Sequence, residues 1–144
     1  MPSRALWLIS GSGLIPFLVC LTVAYALPGR RDAAITVFVA YAGLTLTFLG
    51  GARWGAELVR APDRPVLARL VASALPSIVA LGALLPDMPP RVALALLLAC
   101  SAAQLAWDVR DARRGLLPPW NARLRIVMTA LGTLCMLALL PALL

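Results

Sequence analysis

Five long stretches of the chain contain no charged residue, and segments that carry the charges separate them. They are residues 5–29, 33–52, 70–86, 92–107 and 126–144. Because a hydrocarbon core about 30 Å thick takes about 20 residues of helix, the first, second and fifth stretches are long enough to cross a membrane directly. The third and fourth reach that length when arginines at their ends extend towards the headgroups. The pattern predicts five membrane-spanning helices.

Helix-terminating residues support this division of the chain. Pro89-Pro90 begins the fourth helix, Gly115 follows its end, and Pro118-Pro119 begins the fifth. Short connections at residues 28–32 and 87–90 predict tight antiparallel hairpins. We therefore expect an all-α integral membrane protein, a five-helix bundle that forms a single domain over residues 1–144. Its expected spans are residues 5–27, 33–56, 66–86, 91–112 and 120–143.

The first apolar stretch has a competing interpretation as a secretory signal. Ala24-Tyr25-Ala26 has the small-x-small spacing of a cleavage site. The apolar core of a signal is usually about 7 to 15 residues long, whereas this uncharged stretch covers residues 5–29. Its length favours a retained transmembrane helix.

The composition restricts the chemistry that the chain can perform. Hydrophobic residues make up 62% of the 144 residues and charged residues 13%, against about 25% charged residues in a soluble domain. The chain has no histidine and no lysine, which excludes imidazole acid–base catalysis and Schiff-base chemistry. Cys20, Cys100 and Cys135 lie far apart in apolar stretches, where thiols act as small hydrophobes. We expect no cofactor, no metal and no catalytic residue.

The distribution of arginine predicts the orientation in the membrane. With five spans, the N-terminal tail and the second and fourth loops share one side and carry ten arginines, whereas the other side carries Arg30, Arg31 and Arg91. Positive loops are retained in the cytoplasm, so the N-terminus is predicted to be cytoplasmic and the C-terminus periplasmic, in a bacterial inner membrane. The net charge of +7 then reflects loops that face an anionic leaflet and requires no nucleic acid.

The four tryptophans all fall on the predicted cytoplasmic side. They are Trp7, Trp54, Trp107 and Trp120. Aromatic belts normally occur at both interfaces, so a one-sided set has two interpretations. The indoles either anchor the helices at headgroup level or form the walls of a site on that side.

A polar cluster is predicted at the same cytoplasmic level. Arg53 and Glu57 share a helical face, and a charge at the membrane boundary is costly unless it is paired. Asp108 ends the fourth span, and two arginines begin the fifth. The excess of arginine predicts an anion or lipid-headgroup site, unless the cluster is an ion-pair network that only fixes helix register. The candidate site residues are Arg53, Trp54, Glu57, Asp108, Trp120, Arg123 and Arg125.

Small residues predict where helices pack closely. Gly51 and Gly55 form a small-x-x-x-small pair, which allows a neighbouring helix to approach. Ser73 and Ser77 share a face of the third span around Pro76, which is expected to bend the helix because its missing amide leaves a carbonyl without its partner.

Several of these motifs together resemble a known family. The segments are YAGLTLTFLGGARWG at residues 41–55, ASALPS at 72–77, Asp108, and PWNARLR at 119–125 with Thr129. They resemble an uncharacterised family of small bacterial membrane proteins, a domain of unknown function whose mitochondrial relatives include transmembrane protein 69. The resemblance implies a five-helix inner-membrane protein and supplies no reaction.

Three functions are compatible with these features. The first is a non-enzymatic accessory, assembly or scaffold partner of a membrane complex, which contacts other membrane proteins or a second copy of the chain. The alternative is a lipid- or amphiphile-binding module that uses the arginine and tryptophan cluster to hold anionic headgroups. An enzyme is the third, because residues 108–113 (DVRDAR) resemble part of the phospholipid-head transferase motif. The glycine and the two later aspartates of that motif are missing, so a two-metal site is not expected.

Overall fold

The structure, a computed structural model, describes residues 4–60 and 67–143, and every regular element in these two ranges is helical. Short 3-10 turns lie at Pro28–Arg30 and Leu140–Leu143. The α-helices are α1 (Arg4–Ser12), α2 (Ile15–Ala26), α3 (Arg31–Arg60), α4 (Leu67–Ala83), α5 (Pro90–Arg113) and α6 (Pro119–Leu139).

Four helical segments are long and apolar enough to cross a membrane. They are Arg4–Ala26, Pro28–Val59, Pro90–Arg113 and Trp120–Leu143. Many large apolar side chains on these helices are exposed, for example Leu8 and Phe48, as expected of surfaces that face lipid. The predicted all-α class and the multi-pass membrane character are confirmed.

The third predicted span differs from the expectation. The apolar helix there is α4, with 17 residues, which corresponds to about 26 Å at 1.5 Å per residue. Its regular hydrogen bonding ends at Ala83 and gives way to turns, with the amide of Leu84 donating to the carbonyl of Leu81. Residue 66, where the predicted span begins, lies outside the described residues.

The chain divides into two compact units. The first contains residues 1–38 and 101–144, and the second contains residues 39–100. Within the first unit, α2 packs against α6, and the hydroxyl of Tyr25 donates a hydrogen bond to the carbonyl of Ala138. The rings of Phe17 and Phe38 meet edge to face, with their centroids 4.9 Å apart, in the buried part of this unit. These contacts join the first, second and fifth predicted spans.

Backbone chemistry explains two interruptions in the first unit. Pro16 has no amide to donate to the carbonyl of Ser12, and the helix breaks at residues 13–14 between α1 and α2. At the end of α5, Gly115 adopts φ 70°, the amide of Leu116 donates to the carbonyl of Asp111, and the amide of Gly115 donates to the carbonyl of Ala112. This Schellman arrangement satisfies the last carbonyls and ends α5 where the sequence predicts.

The second unit is organised around an antiparallel seam between α3 and α4. Gly50 lies against Ser73 and Pro76, and Gly43 lies against Ala80. A Cβ atom added at Gly50 would stand 2.6 Å from the Ser73 carbonyl oxygen, so only glycine permits this approach of the two backbones. Gly43 and Gly50 are seven residues apart on α3. Their neighbours on α4, Ala80 and Ser73, follow in the reverse order along the chain, so the two helices are antiparallel.

The seam includes some of the predicted packing residues and leaves others out. Ser73 and Pro76 are buried in it, as expected. Ser77 is exposed, because the buried face of α4 follows Ser73, Pro76, Ala80 and Ala83 at spacings of three and four.

Gly51 and Gly55 also differ from the packing prediction. Both are exposed, and a Cβ atom at either would meet nothing within 4 Å. Adjacent residues of a helix point about 100° apart, so with Gly50 facing α4 its neighbour Gly51 points away. The close approach within the chain is therefore made by Gly50 and Gly43.

These two adjacent glycines allow a matched test of the seam. Gly50→Ala forces the helices apart and is expected to destabilise the protein by about 1–3 kcal/mol, the usual cost of overpacking. Gly51→Ala adds the same methyl group in open space, where alanine also favours the helix, and is expected to be neutral or stabilising. Thermal unfolding of the two purified variants in detergent measures the difference. Equal stability of the two variants would contradict the seam.

Candidate functional site

A buried carboxylate lies at the polar end of the α3–α4 seam. Glu57 is 1% exposed, and both of its carboxylate oxygens accept hydrogen bonds from Arg69. The Arg69 Nε to Glu57 Oε2 distance is 2.9 Å, and the Arg69 Nη2 to Glu57 Oε1 distance is 2.8 Å. This two-pronged geometry is the strongest form of arginine–carboxylate recognition.

A second arginine accompanies this pair. Arg53 is 6% exposed, and its Nε lies 3.7 Å from Oε1 of Glu57, one helical turn away on α3. The shared face of Arg53 and Glu57 is therefore observed, but the distance is longer than a hydrogen bond. Arg69 is 34% exposed and reaches the carboxylate from α4. The three side chains, which we call the Glu57 triad, carry one net positive charge.

The local sequence explains how the triad forms. Glu57 lies seven residues after Gly50, so it continues the face of α3 that packs on α4. Arg69 lies four residues before Ser73 and continues the facing stripe of α4. In an antiparallel pair these two extensions meet at the same end. The close approach at Gly50 thus positions the two charged groups one to two turns further along.

The first unit contains a comparable pair between α5 and α6. Nε of Arg125 donates to Oδ2 of Asp108 at 2.6 Å, and both side chains are largely buried. Asp111, one turn further along α5, is also buried. The Asp108–Arg125 pair joins two helices at the end where α5 stops and α6 begins.

Of the predicted polar cluster, the structure shows Arg53 beside Glu57 and Arg125 paired with Asp108. Arg53 and Glu57 belong to the second unit, and Asp108 and Arg125 belong to the first. The remaining candidate side chains are all exposed: Trp54, Trp120 and Arg123.

Sequence reasoning missed the main partner of Glu57. The pattern assigns Arg69 to the headgroups, as a snorkelling residue at the end of the third span. The signal that could have identified Arg69 is the pattern of buried positions on α4. Arg69 lies one turn before Ser73, on the helix face that Ser73 and Pro76 share.

These groups form carboxylate–arginine ion pairs. Each observed carboxylate–arginine contact joins two helices or two turns of one helix. Among the described residues, no group of three or more cysteine, aspartate and glutamate side chains lies close enough to hold a metal ion. Breaking a buried pair leaves an uncompensated charge, so such contacts specify helix register strongly.

The fold defines the class of protein. An all-helical chain with four segments long enough to cross a membrane, apolar outer surfaces and buried ion pairs is a multi-pass membrane protein. A family model described as "Protein of unknown function (DUF3429)" matches residues 1–141, and the chain belongs to this family. No curated protein and no solved structure matches the chain.

The contribution of the Glu57–Arg69 contact is measurable by a double-mutant cycle. Glu57→Gln and Arg69→Gln each remove one charge from the triad and are expected to lower the free energy of unfolding by about 2 kcal/mol, the usual contribution of hydrogen bonds to a charged group. The double variant is expected to lose at least about 1 kcal/mol less than the sum, because both substitutions disrupt the same contact and the second removes nothing that the first has left in place. Unfolding by denaturant in mixed micelles gives the four values.

The matched control for this cycle is Asp87→Asn, which neutralises an exposed carboxylate in a turn of the same unit. It is expected to change stability by less than about 0.5 kcal/mol. Additive effects of the Glu57 and Arg69 substitutions would show that the two side chains do not stabilise each other.

Proposed function

We propose that the protein is a non-enzymatic accessory or assembly partner of a larger membrane complex. The observation that carries this proposal is the exposure of Gly51 and Gly55 on α3, with open space above both. We call this surface the Gly51–Gly55 face. Small residues one turn apart let a second transmembrane helix approach the backbone closely. Since α4 uses Gly50 instead, the Gly51–Gly55 face is left for a partner outside the chain.

The role of the polar groups supports the same proposal. Glu57 accepts two hydrogen bonds from Arg69, and Asp108 accepts one from Arg125. These carboxylates stabilise helix pairs, which is the use expected in a scaffold. Partners on the Gly51–Gly55 face are other membrane proteins or a second copy of the chain.

The alternative function, lipid or amphiphile binding at the arginine and tryptophan cluster, has weaker support. Its exposed members Trp54, Trp120 and Arg123 are suited to headgroup level. Arg125, however, donates to Asp108, so part of the positive charge on which an anion site depends is already compensated.

The proposed setting is a bacterial inner membrane with the N-terminus in the cytoplasm. Ten of the thirteen arginines lie in the tail, loops and helix ends assigned to the cytoplasmic side, and this imbalance opposes translocation. The 17-residue helix α4 is about 26 Å long and provides the remaining crossing if the bilayer thins locally around it.

Orientation is testable with reporter fusions. A C-terminal alkaline phosphatase fusion expressed in a bacterial host is expected to be active, because the enzyme requires the periplasm, and a C-terminal green fluorescent protein fusion is expected to be dark. The opposite pattern would place the C-terminus in the cytoplasm and contradict the proposed orientation.

The partner surface is testable by filling it. Gly51→Leu with Gly55→Leu adds two large side chains to the Gly51–Gly55 face and is expected to remove the protein from its complex, as seen by native electrophoresis of membranes solubilised in mild detergent. The matched control is Ala95→Leu with Ala99→Leu, a pair of exposed small residues at the same spacing on α5.

Two outcomes of this comparison oppose the proposal. One is migration of the wild-type protein as a monomer, and the other is equal complex formation by both double variants. A photo-crosslinker at position 51 then separates the two kinds of partner, because a cross-link to a second copy gives a product of twice the monomer mass.

A further inference from the structure

An open groove lies along one face of the second half of α5. Its volume is about 640 Å³. Its apolar part is lined by Ala102, Leu105, Ala106 and Val109, which recur at spacings of three and four and therefore form one stripe. At 1.5 Å per residue, this part extends about 10 Å along the helix axis. The short side chains of Ala102 and Ala106 leave the space that makes the surface concave.

The end of the groove is strongly basic. Arg110, Arg113 and Arg114 line it, and all three are exposed. Within the ranges 4–60 and 67–143, the structure shows no carboxylate paired with these guanidinium groups. The two acidic residues of α5, Asp108 and Asp111, are buried, and Asp108 accepts a hydrogen bond from Arg125. Three positive charges therefore remain available at one end of an apolar groove.

Along α5 an apolar surface is followed by a basic one, and this order matches a ligand that has an apolar chain and an anionic group at one end. α5 is long and apolar enough to cross a membrane, and the arginines lie at its end, where a crossing helix is expected to meet the headgroups. A phospholipid of that leaflet presents its phosphate at this level and its acyl chains immediately below. Arginine binds phosphate oxygens through several N–H groups at once, and anionic lipids are further attracted by the excess positive charge.

We infer that this groove is a binding site for one anionic phospholipid, with an acyl chain along Ala102–Val109 and the phosphate among the three arginines. The site lies in the first unit and shares no residue with the Gly51–Gly55 face, so it goes beyond the proposed function. It also differs from the predicted arginine and tryptophan cluster, none of whose residues lines it. Charge complementarity favours a phospholipid over a second transmembrane helix as the occupant. A phospholipid places its phosphate beside the three arginines, whereas a transmembrane helix carries no phosphate.

The charge requirement is tested on the purified full-length protein by native mass spectrometry. The probes are phosphatidylglycerol and phosphatidylcholine with identical acyl chains. Arg110→Gln with Arg113→Gln is expected to weaken retention of phosphatidylglycerol about tenfold or more and to leave the weak retention of phosphatidylcholine unchanged. The matched control is Arg4→Gln with Arg30→Gln, which removes the same charge from exposed arginines outside the groove and is expected to retain phosphatidylglycerol.

The shape requirement is tested separately. Ala102→Leu with Ala106→Leu fills the groove and keeps all three arginines, and it is expected to reduce phosphatidylglycerol retention by a similar factor. Ala95→Leu with Ala99→Leu adds the same side chains elsewhere on α5 and is expected to have no effect. Both substituted pairs are exposed, so circular dichroism melting should show intact helices.

Either of two results would overturn the inference. Retention of phosphatidylglycerol by the Arg110→Gln/Arg113→Gln variant at the wild-type level would show that the arginines do not bind it. Unchanged retention by the Ala102→Leu/Ala106→Leu variant would show that the arginines attract headgroups without a groove. Loss in both variants, with both controls intact, supports the site.

Discussion

The burial of the Glu57 carboxylate is the constraint on which the second unit depends. A carboxylate that is 1% exposed is stable in its charged form only if arginine reaches it, and Arg69 does so from a different helix. That contact requires α3 and α4 to be close and in one register. The approach of Gly50 to Ser73 supplies the closeness, and the spacing of Gly43, Gly50 and Glu57 by seven residues keeps all three on one face. Packing and electrostatics thus specify the same arrangement.

The positive charge of the chain serves different purposes on different helices. Arg53, Arg69 and Arg125 lie beside buried carboxylates, where they satisfy charges that the membrane would otherwise penalise. Arg110, Arg113 and Arg114 have a different environment, because they are exposed at the end of an apolar groove. The 13 arginines exceed the 6 acidic residues and give the net charge of +7, and they include arginines that pair with buried carboxylates and arginines that stay exposed.

Most of the fold was predictable because span positions depend on local composition. Uncharged stretches, proline pairs and Gly115 mark the helices within a few residues, although α4 ends sooner than its apolar stretch suggests. The site was predictable only in part. Gly50 and Gly51 are adjacent and chemically identical, and which of them faces a neighbour depends on where α4 lies. The role of Arg69 also depends on where α4 lies, because an arginine at a helix end can extend to the headgroups or pair with a buried carboxylate.

Cysteine cross-linking gives a direct measurement of the register of α3 against α4. Gly43 and Ala80 lie so close that a Cβ atom at position 43 would be 3.2 Å from the Ala80 Cβ, near the separation that a disulfide requires. In a chain with Cys20, Cys100 and Cys135 replaced by alanine, Gly43→Cys with Ala80→Cys should form a disulfide on mild oxidation in membranes. Gly43→Cys with Leu84→Cys, one turn away, should form little. Efficient cross-linking of the second pair, or none of the first, would contradict the seam.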